Sequence, residues 1–155
     1  AAITSFIEMR MTEGKALVAD LHARVLLLEK WVEEIALMAQ ALPDRFAEKL
    51  KLRLDDVLSG SVGNEDAILR EIVIYASRLD VTEEIVRFRS HLNQMRELLG
   101  KEGHSVGKTL DFLTQELIRE VNTIGSKSPD SDIAQKVVLM KSEVEKIREQ
   151  IQNIE

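Results

Sequence analysis

A helix that the residue pattern predicts from about Lys108 to Ile124 carries acids, amides and an arginine on one side. At 100° per residue, the polar residues opposite its apolar side lie within about 80° of one another; they are Asp111, Gln115, Arg119 and Asn122. One shoulder of the same face is formed by Glu116, Glu120 and Thr123. This mixture can contact a polar substrate, whereas a face of Lys and Glu is typical of solvated helices. Two interpretations stand: a solvated surface, which is the more common case, and a substrate-facing surface, which the mixture favours.

The fourth of the predicted helices repeats this theme. Glu84, Arg87 and His91 follow i, i+3, i+7 spacing, so the three side chains share one stripe. Asp80 is the predicted N-cap residue, and Glu83 stands three residues later in the capping-box position. The simplest interpretation is a capped helix with one surface ion pair, worth a few tenths of a kcal/mol, and a half-buried histidine. Spacing alone favours this interpretation.

The turn after the fifth predicted helix reads GSKS, from Gly125 to Ser128, and resembles half of a phosphate-binding loop. A nucleotide P-loop also needs an upstream Gly and a preceding strand, and this place has neither. Lys127 and free backbone N–H groups at the start of the next helix would form an anion site. Alternatively, Gly125 ends one helix and Ser128 is the N-cap of the next, which explains the turn without a ligand. The two interpretations carry equal weight.

Six helices can be read from the periodicity and from breaks at Gly and Pro, at about 3–41, 43–58, 65–79, 81–99, 108–124 and from 129 onward. The apolar residues of the sixth repeat in a heptad pattern, which predicts a partner helix from this chain or from another copy. They are Ile133, Val137, Met140, Val144, Ile147, Ile151 and Ile154. No strand can be read. The predicted fold is therefore all-α, a bundle of long antiparallel helices, with a helical hairpin over 1–59 and a C-terminal helical domain over 60–155.

The composition of the 155 residues limits the function classes. The chain has no Cys, which excludes disulfides, zinc–cysteine sites and thiol nucleophiles and fits a reducing compartment. The apolar runs are too short to span a bilayer and no leader opens the chain, so we expect a cytoplasmic protein. The net charge of −6 argues against a generally basic nucleic-acid surface, but a local basic patch or a metal-bridged phosphate site is compatible with it.

Three blocks of the sequence resemble the C-terminal half of the YicC/YloC family of bacterial proteins: DVTEEIVRFRSHL, GKTLDFLTQELIREVNTIGSKS and the terminal KIREQIQNIE. Upstream, MRMTEGKALVADLHARV resembles the central segment of the same family. Members of this family are about twice as long, so the resemblance implies that a strand-containing N-terminal domain lies outside this chain. It also implies a metal-dependent endoribonuclease that assembles as a ring-like homo-hexamer and captures RNA inside.

The motif positions of this family can be matched with residues of this chain, and the matched residues include most of those discussed above. Hydrolysis of a phosphodiester needs an activated water and neutralised phosphate charge, and a divalent cation such as Mn²⁺ or Mg²⁺ supplies both. The expected metal ligands are Glu84, Glu116, Glu120 and His91, and the expected catalytic residues are His91, as ligand or general base, with Glu116 and Glu120. The expected RNA-binding residues are Arg87, Gln115, Arg119, Asn122, Thr123, Ser126 and Lys127.

A second hypothesis is a non-catalytic helical oligomerisation module or RNA-binding adaptor. On this interpretation the polar stripes contact neighbouring subunits, and Ile118, which lies within the polar stripe, packs in the interface. The acidic charge balance and the heptad pattern favour this hypothesis, whereas the family resemblance favours the endoribonuclease.

Overall fold

The computed structural model describes the backbone of residues 2–57, 65–99, 101 and 105–152, and their side chains except those of 2–11, 54–57, 65, 67, 68 and 105. This part of the chain forms six helices and no strand. The helices are α1 (Ala2–Gln40), α2 (Leu42–Val57), α3 (Glu65–Leu79), α4 (Thr82–Leu99), α5 (Ser105–Lys127) and α6 (Ser131–Gln152). The predicted all-α fold is confirmed, and none of these helices is long and apolar enough to cross a membrane.

Four of the helices form a bundle in which neighbours run antiparallel. α4 packs on α5, α5 packs on α6, and α1 packs on both α4 and α6. Ion pairs show the antiparallel order of α1 and α4, because Glu33 pairs with Arg89 while Glu29, one turn earlier, pairs with Arg96 farther along α4. α2 and α3 pack mainly against each other and form a hairpin beside the C-terminal end of α1. The division of the chain into domains at residues 59 and 60 stays a prediction.

The heptad residues of α6 are buried inside this chain. Those that the structure describes are 5% exposed or less: Ile133, Val137, Met140, Val144, Ile147 and Ile151. They join one hydrophobic core with apolar residues of α1, α4 and α5, and each buried Ile or Val contributes about 1.5–3 kcal/mol. The partner helices that the pattern predicted are therefore α5 and α1 of the same chain. Ile154, the last predicted heptad residue, lies outside the described residues.

α5 is longer than predicted, and the first three residues of the GSKS segment belong to this helix and not to a turn. The helix continues through Lys127, and the N–H of Ser128 still donates to the carbonyl of Ile124 at 3.1 Å. The prediction that Gly125 ends the helix was wrong. A Cβ at Gly125 would lie 3.0 Å from Cγ1 of Val137, so this glycine allows α5 to approach α6 closely. Because residues 125–127 are helical, they do not present the free N–H groups of a phosphate-binding loop.

The N-cap of α6 is Asp130, and the prediction of Ser128 was wrong. Oδ1 of Asp130 accepts hydrogen bonds from the N–H groups of Asp132, at 2.9 Å, and Ile133, at 3.1 Å. The hydroxyl of Ser128 is buried and has no hydrogen-bond partner among the described residues. Sequence spacing suggested Ser128 because it directly precedes a proline, a favoured first-turn residue.

The side chain of Asp80 caps the start of α4 as predicted, but the residue directly before the helix is Val81, whose carbonyl accepts the first backbone bond from Ile85. Oδ1 of Asp80 accepts a hydrogen bond from the N–H of Thr82 at 2.9 Å. Hydrogen bonds from the side chain and backbone of Thr82 lower the pKa of the Asp80 carboxyl below its ordinary value. Glu83, in the capping-box position, pairs with Arg87 on its own helix.

We expect Asp130→Ala to lower the free energy of unfolding by about 1 kcal/mol, because two N–H groups at the start of α6 lose their acceptor. Ser128→Ala should leave this free energy unchanged or raise it, because the hydroxyl that it removes is buried without a partner. Urea unfolding followed by helical circular dichroism measures both changes. Asp130→Asn keeps an acceptor oxygen and serves as the control. A larger loss for Ser128→Ala than for Asp130→Ala would contradict this assignment of the cap.

Candidate metal centre

Polar side chains face each other along the contact between α4 and α5. On α4 and the residue that caps it they are Asp80, Glu84, Arg87 and His91, and on α5 they are Glu116, Glu120, Thr123 and Lys127. Both sets follow 3- and 4-residue spacing, which places each set on one stripe of its helix. Because the helices are antiparallel, the start of α4 lies beside the end of α5. We call these eight residues the polar seam.

The middle of the polar seam brings three potential metal ligands together. His91, Glu116 and Glu120 each offer one ligand atom, and these atoms lie within 4.8 Å of one another. His91 and Glu116 are half-buried, and Glu120 is only 3% exposed. Nδ1 of His91 is buried and has no hydrogen-bond partner among the described residues. Two carboxylates one turn apart repel each other, so a cation between them would offset that repulsion.

Glu84, the fourth ligand expected from the resemblance, lies in another part of the polar seam. Its Oε1 accepts a hydrogen bond at 2.8 Å from Nζ of Lys127, which also donates to the backbone carbonyl of Asp80 at 3.0 Å. Glu84 is 6% exposed, and its Oε2 has no partner among the described residues. Lys127 therefore holds the end of α5 to the start of α4, an interaction that the sequence analysis did not foresee.

Two arginines lie beside the two glutamates of α5. Nη1 of Arg87 is 3.9 Å from Oε1 of Glu120, and the same guanidinium also pairs with Glu83. Nη1 of Arg119 is 4.0 Å from Oε2 of Glu116, and the Arg119 side chain is 73% exposed. Positive charge at these distances offsets part of the negative charge of the carboxylates. Both guanidiniums remain accessible to an anionic ligand.

The other residues expected to bind RNA mostly bond within α5. Gln115 donates to Asp111 at 2.8 Å, and the hydroxyls of Thr123 and Ser126 donate to backbone carbonyls one turn earlier. Asn122 is exposed. Gln115, Asn122 and Ser126 are exposed, whereas Thr123 is half-buried in the polar seam, and all four keep unused acceptor or donor capacity.

Ile118, which the second hypothesis places in a subunit interface, is partly buried against the hydrophobic core of its own chain. An apolar residue within the polar stripe therefore has an intramolecular contact. It is not by itself a sign of a subunit interface.

Comparison with known proteins gives a consistent result. Residues 32–155 match the family described as "Endoribonuclease YicC-like, C-terminal". The chain is 46% identical over 155 residues to the "Probable endoribonuclease YicC" of Clostridioides difficile strain 630, covering 99% of this chain and 53% of that protein. It is 35% identical over 153 residues to the protein of the same name from Haemophilus influenzae, covering 99% of this chain and 52% of that protein. The chain thus spans about half the length of these curated relatives.

We expect Lys127→Met to lower the free energy of unfolding by about 2 kcal/mol, because it leaves the Glu84 carboxylate buried and unpaired. The loss stays below the roughly 3–5 kcal/mol of fully buried pairs because Lys127 is partly exposed. The double variant Glu84→Leu/Lys127→Met should recover most of the loss. Urea unfolding of the two single variants and the double variant gives the coupling between the two residues. Strictly additive effects would contradict a direct interaction.

Proposed function

We propose that this chain, which belongs to the endoribonuclease YicC-like family, hydrolyses RNA phosphodiester bonds with a divalent cation held between α4 and α5. The observation that carries the proposal is the convergence of His91, Glu116 and Glu120 within 4.8 Å. Two residues one turn apart on α5 and one residue on α4 meet there because of the antiparallel packing of these helices.

The donor set fits a divalent cation. Carboxylate oxygens suit Mg²⁺ and Mn²⁺, whereas an imidazole nitrogen favours a transition metal, so the three side chains together favour Mn²⁺. The Nδ1 of His91, which has no hydrogen-bond partner among the described residues, supports the fit. The burial of Glu120 also supports it, because a cation would offset the cost of burying this carboxylate. A divalent cation in such a site supplies an activated water and offsets phosphate charge.

Each residue then has one role. Glu116 and Glu120 hold the cation through carboxylate oxygens, and His91 holds it through one ring nitrogen. A coordinating nitrogen cannot accept a proton at the same time, so we assign His91 as a ligand in preference to a general base. Glu84 stays bonded to Lys127, which keeps the two helices in the register that the ligands require.

The exposed side chains beside the ligands would contact RNA. Arg119 and Arg87 are the nearest cations, and both can bind phosphate oxygens in a bidentate manner. The Arg87–Glu83 pair lies on the surface, where ion pairs contribute little, so Arg87 can exchange this partner for a phosphate. Gln115 and Asn122 offer amide donors on the same helix, with Thr123 and Ser126 as hydroxyl acceptors. Lys127 lies at the end of this surface.

The homo-oligomer that the resemblance implies is part of the proposal, as a hexamer in the full-length protein. Self-association is supported by apolar side chains that are exposed on the surface of this chain. Leu69 and Val73 lie one turn apart on α3 and are 59% and 67% exposed. Such a stripe is typical of a surface that packs against another subunit. The heptad pattern of α6 gives no such support, because α5 and α1 already cover it.

Mn²⁺ at millimolar concentration should raise the melting temperature of the wild type, because a ligand that binds only the folded state stabilises it. Glu120→Gln removes one carboxylate of the repelling pair. We expect this variant to be slightly more stable than the wild type without metal, insensitive to Mn²⁺, and inactive on RNA. Thermal unfolding with and without Mn²⁺, and gel assays of RNA cleavage with and without EDTA, measure these outcomes.

The matched control for this experiment is Glu97→Gln, which removes an exposed carboxylate elsewhere on α4. It should respond to Mn²⁺ and cleave RNA like the wild type. If Glu120→Gln keeps both its metal response and its cleavage, the carboxylates do not form the metal site. Absence of cleavage by the wild type, together with intact assembly, would favour the non-catalytic module instead.

Val73→Glu should weaken self-association, because it places a charge in the exposed apolar stripe of α3. Size-exclusion chromatography with light scattering should give the wild type a mass above the 17.6 kDa of one chain, and the variant a lower mass than the wild type. Glu71→Lys, which changes the charge on the opposite side of the same helix, is the control. A full-length protein that is monomeric at micromolar concentration would contradict the hexamer.

A further inference from the structure

A groove of about 360 Å³ lies between the α2–α3 hairpin and the turn that precedes α6. α2 forms one wall, Tyr75 and Leu79 of α3 form another, and Pro129 and Asp130 close one end. We call it the hairpin groove. The metal ligands lie elsewhere, on α4 and α5, and nothing in the proposed function uses this groove.

An aromatic pair lies in the wall of the hairpin groove. The rings of Phe46 and Tyr75 are stacked, with centroids 3.5 Å apart and an interplanar angle of 17°. Aromatic residues make up only 4% of the chain, so the meeting of two of them at an open groove is notable. Both residues are half-buried and keep part of their surface accessible. A partly exposed aromatic ring offers a nucleic-acid base a surface to stack on.

Cations follow the same side of α2. Arg45, Lys49 and Arg53 are spaced by four residues, are all exposed, and lie within about 80° of one another around the helix. Among the side chains that the structure describes, no carboxylate pairs with Lys49 or Arg53. Arg45 is 66% exposed and contacts Asp130 at 3.3 Å. One carboxylate offsets at most one of the three positive charges, so the stripe keeps a net positive charge.

The hairpin groove begins where the polar seam ends. Leu79 in its wall directly precedes Asp80, whose carbonyl accepts a hydrogen bond from Lys127. Pro129 and Asp130 follow Lys127 closely in the chain. Lys127 itself lies two turns along α5 from Glu120, a rise of about 10 Å. One extended strand could therefore contact both the cluster of metal ligands and the groove.

We propose that the hairpin groove binds single-stranded RNA. Bases stack on the Phe46–Tyr75 pair, and phosphates lie against Arg45, Lys49 and Arg53. This inference rests on the proposed function, to which it adds a second contact surface and a preference for unpaired substrate. A duplex fits poorly, because its bases are already stacked on each other and cannot reach the rings.

Binding of a fluorescein-labelled short oligouridylate, followed by anisotropy in EDTA at several KCl concentrations, tests the proposal without cleavage. The groove variant is Arg45→Gln/Lys49→Gln/Arg53→Gln. The control variant, Lys30→Gln/Lys51→Gln/Lys108→Gln, removes three exposed cations elsewhere, so both variants have the same net charge. Each phosphate contact on a single strand contributes about 0.7 to the slope of log K against log salt. The groove variant should therefore lose about 2 from this slope, and the control variant less than 1.

A second measurement addresses the aromatic pair. Photocrosslinking of 4-thiouridine in the same oligonucleotide to the wild-type chain should map by mass spectrometry to the peptides that contain Phe46 or Tyr75. Tyr75→Leu should weaken binding about tenfold, because an aliphatic side chain cannot stack on a base. Its circular dichroism and urea midpoint show whether the α2–α3 hairpin is intact. If the variant does not fold, crosslinking of the wild type still decides the question.

Several outcomes would overturn the proposal. One is a groove variant that binds the oligonucleotide as the control variant does, and another is crosslinks confined to α4 and α5. Loss of self-association with unchanged RNA affinity would assign the groove to a second copy of the chain. Equal affinity for single-stranded and duplex RNA would contradict the stacking of bases on Phe46 and Tyr75. Because these assays are run in EDTA, their result is independent of metal-dependent cleavage, which tests the proposed function separately.

Discussion

The close packing of α5 on its neighbours is the constraint on which the site depends. Leu113, Leu117 and Val121 are buried along one side of α5, and Phe88 and Leu92 are buried along the facing side of α4. The packing of these side chains fixes the antiparallel register of the two helices. This register determines which polar side chains of α4 lie opposite those of α5. A shift by one residue would turn His91 about 100° away from the carboxylates. The relative placement of the polar side chains is therefore set by hydrophobic residues that are buried between the helices.

The same contact explains how an acidic chain could bind an anion. The net charge of −6 is not spread evenly, because Arg87, Arg119 and Lys127 all lie beside carboxylates of the polar seam. The buried acids of the polar seam are Glu84 and Glu120, and each has a cation within 4 Å. Desolvation makes an unpaired buried carboxylate unfavourable, so the two pairings lower the free-energy cost of burying these acids. The local field near the seam is thus less negative than the composition alone suggests.

Much of the architecture could be predicted from the sequence, because helix periodicity and the cap at Asp80 are local properties. The predictions were wrong where the local structure depends on residues that are distant in the sequence. Gly125 looked like the end of a helix, but its role depends on Val137 of α6, and Ser128 looked like a cap, but Asp130 has the better geometry. The spacing of Glu116 and Glu120 on α5 could be predicted from the sequence. The partner of Glu84 was not, because it is set by the tertiary register of two helices.

The ion pair between Arg24 of α1 and Glu143 of α6 joins two residues that are 119 positions apart in the chain. Glu143 is buried on α6, and Lys146 also pairs with it at 3.1 Å, so α1 and α6 are held together by charge as well as by apolar contacts. During synthesis on the ribosome, α1 emerges long before α6 exists. The apolar stripe of α1 cannot be fully buried until the other helices of the bundle are present. The contacts between α1 and α6 form slowly because the residues are far apart in the sequence. Until α6 has left the exit tunnel, the apolar stripe of α1 in a nascent chain therefore lacks part of the surface that buries it in the folded bundle.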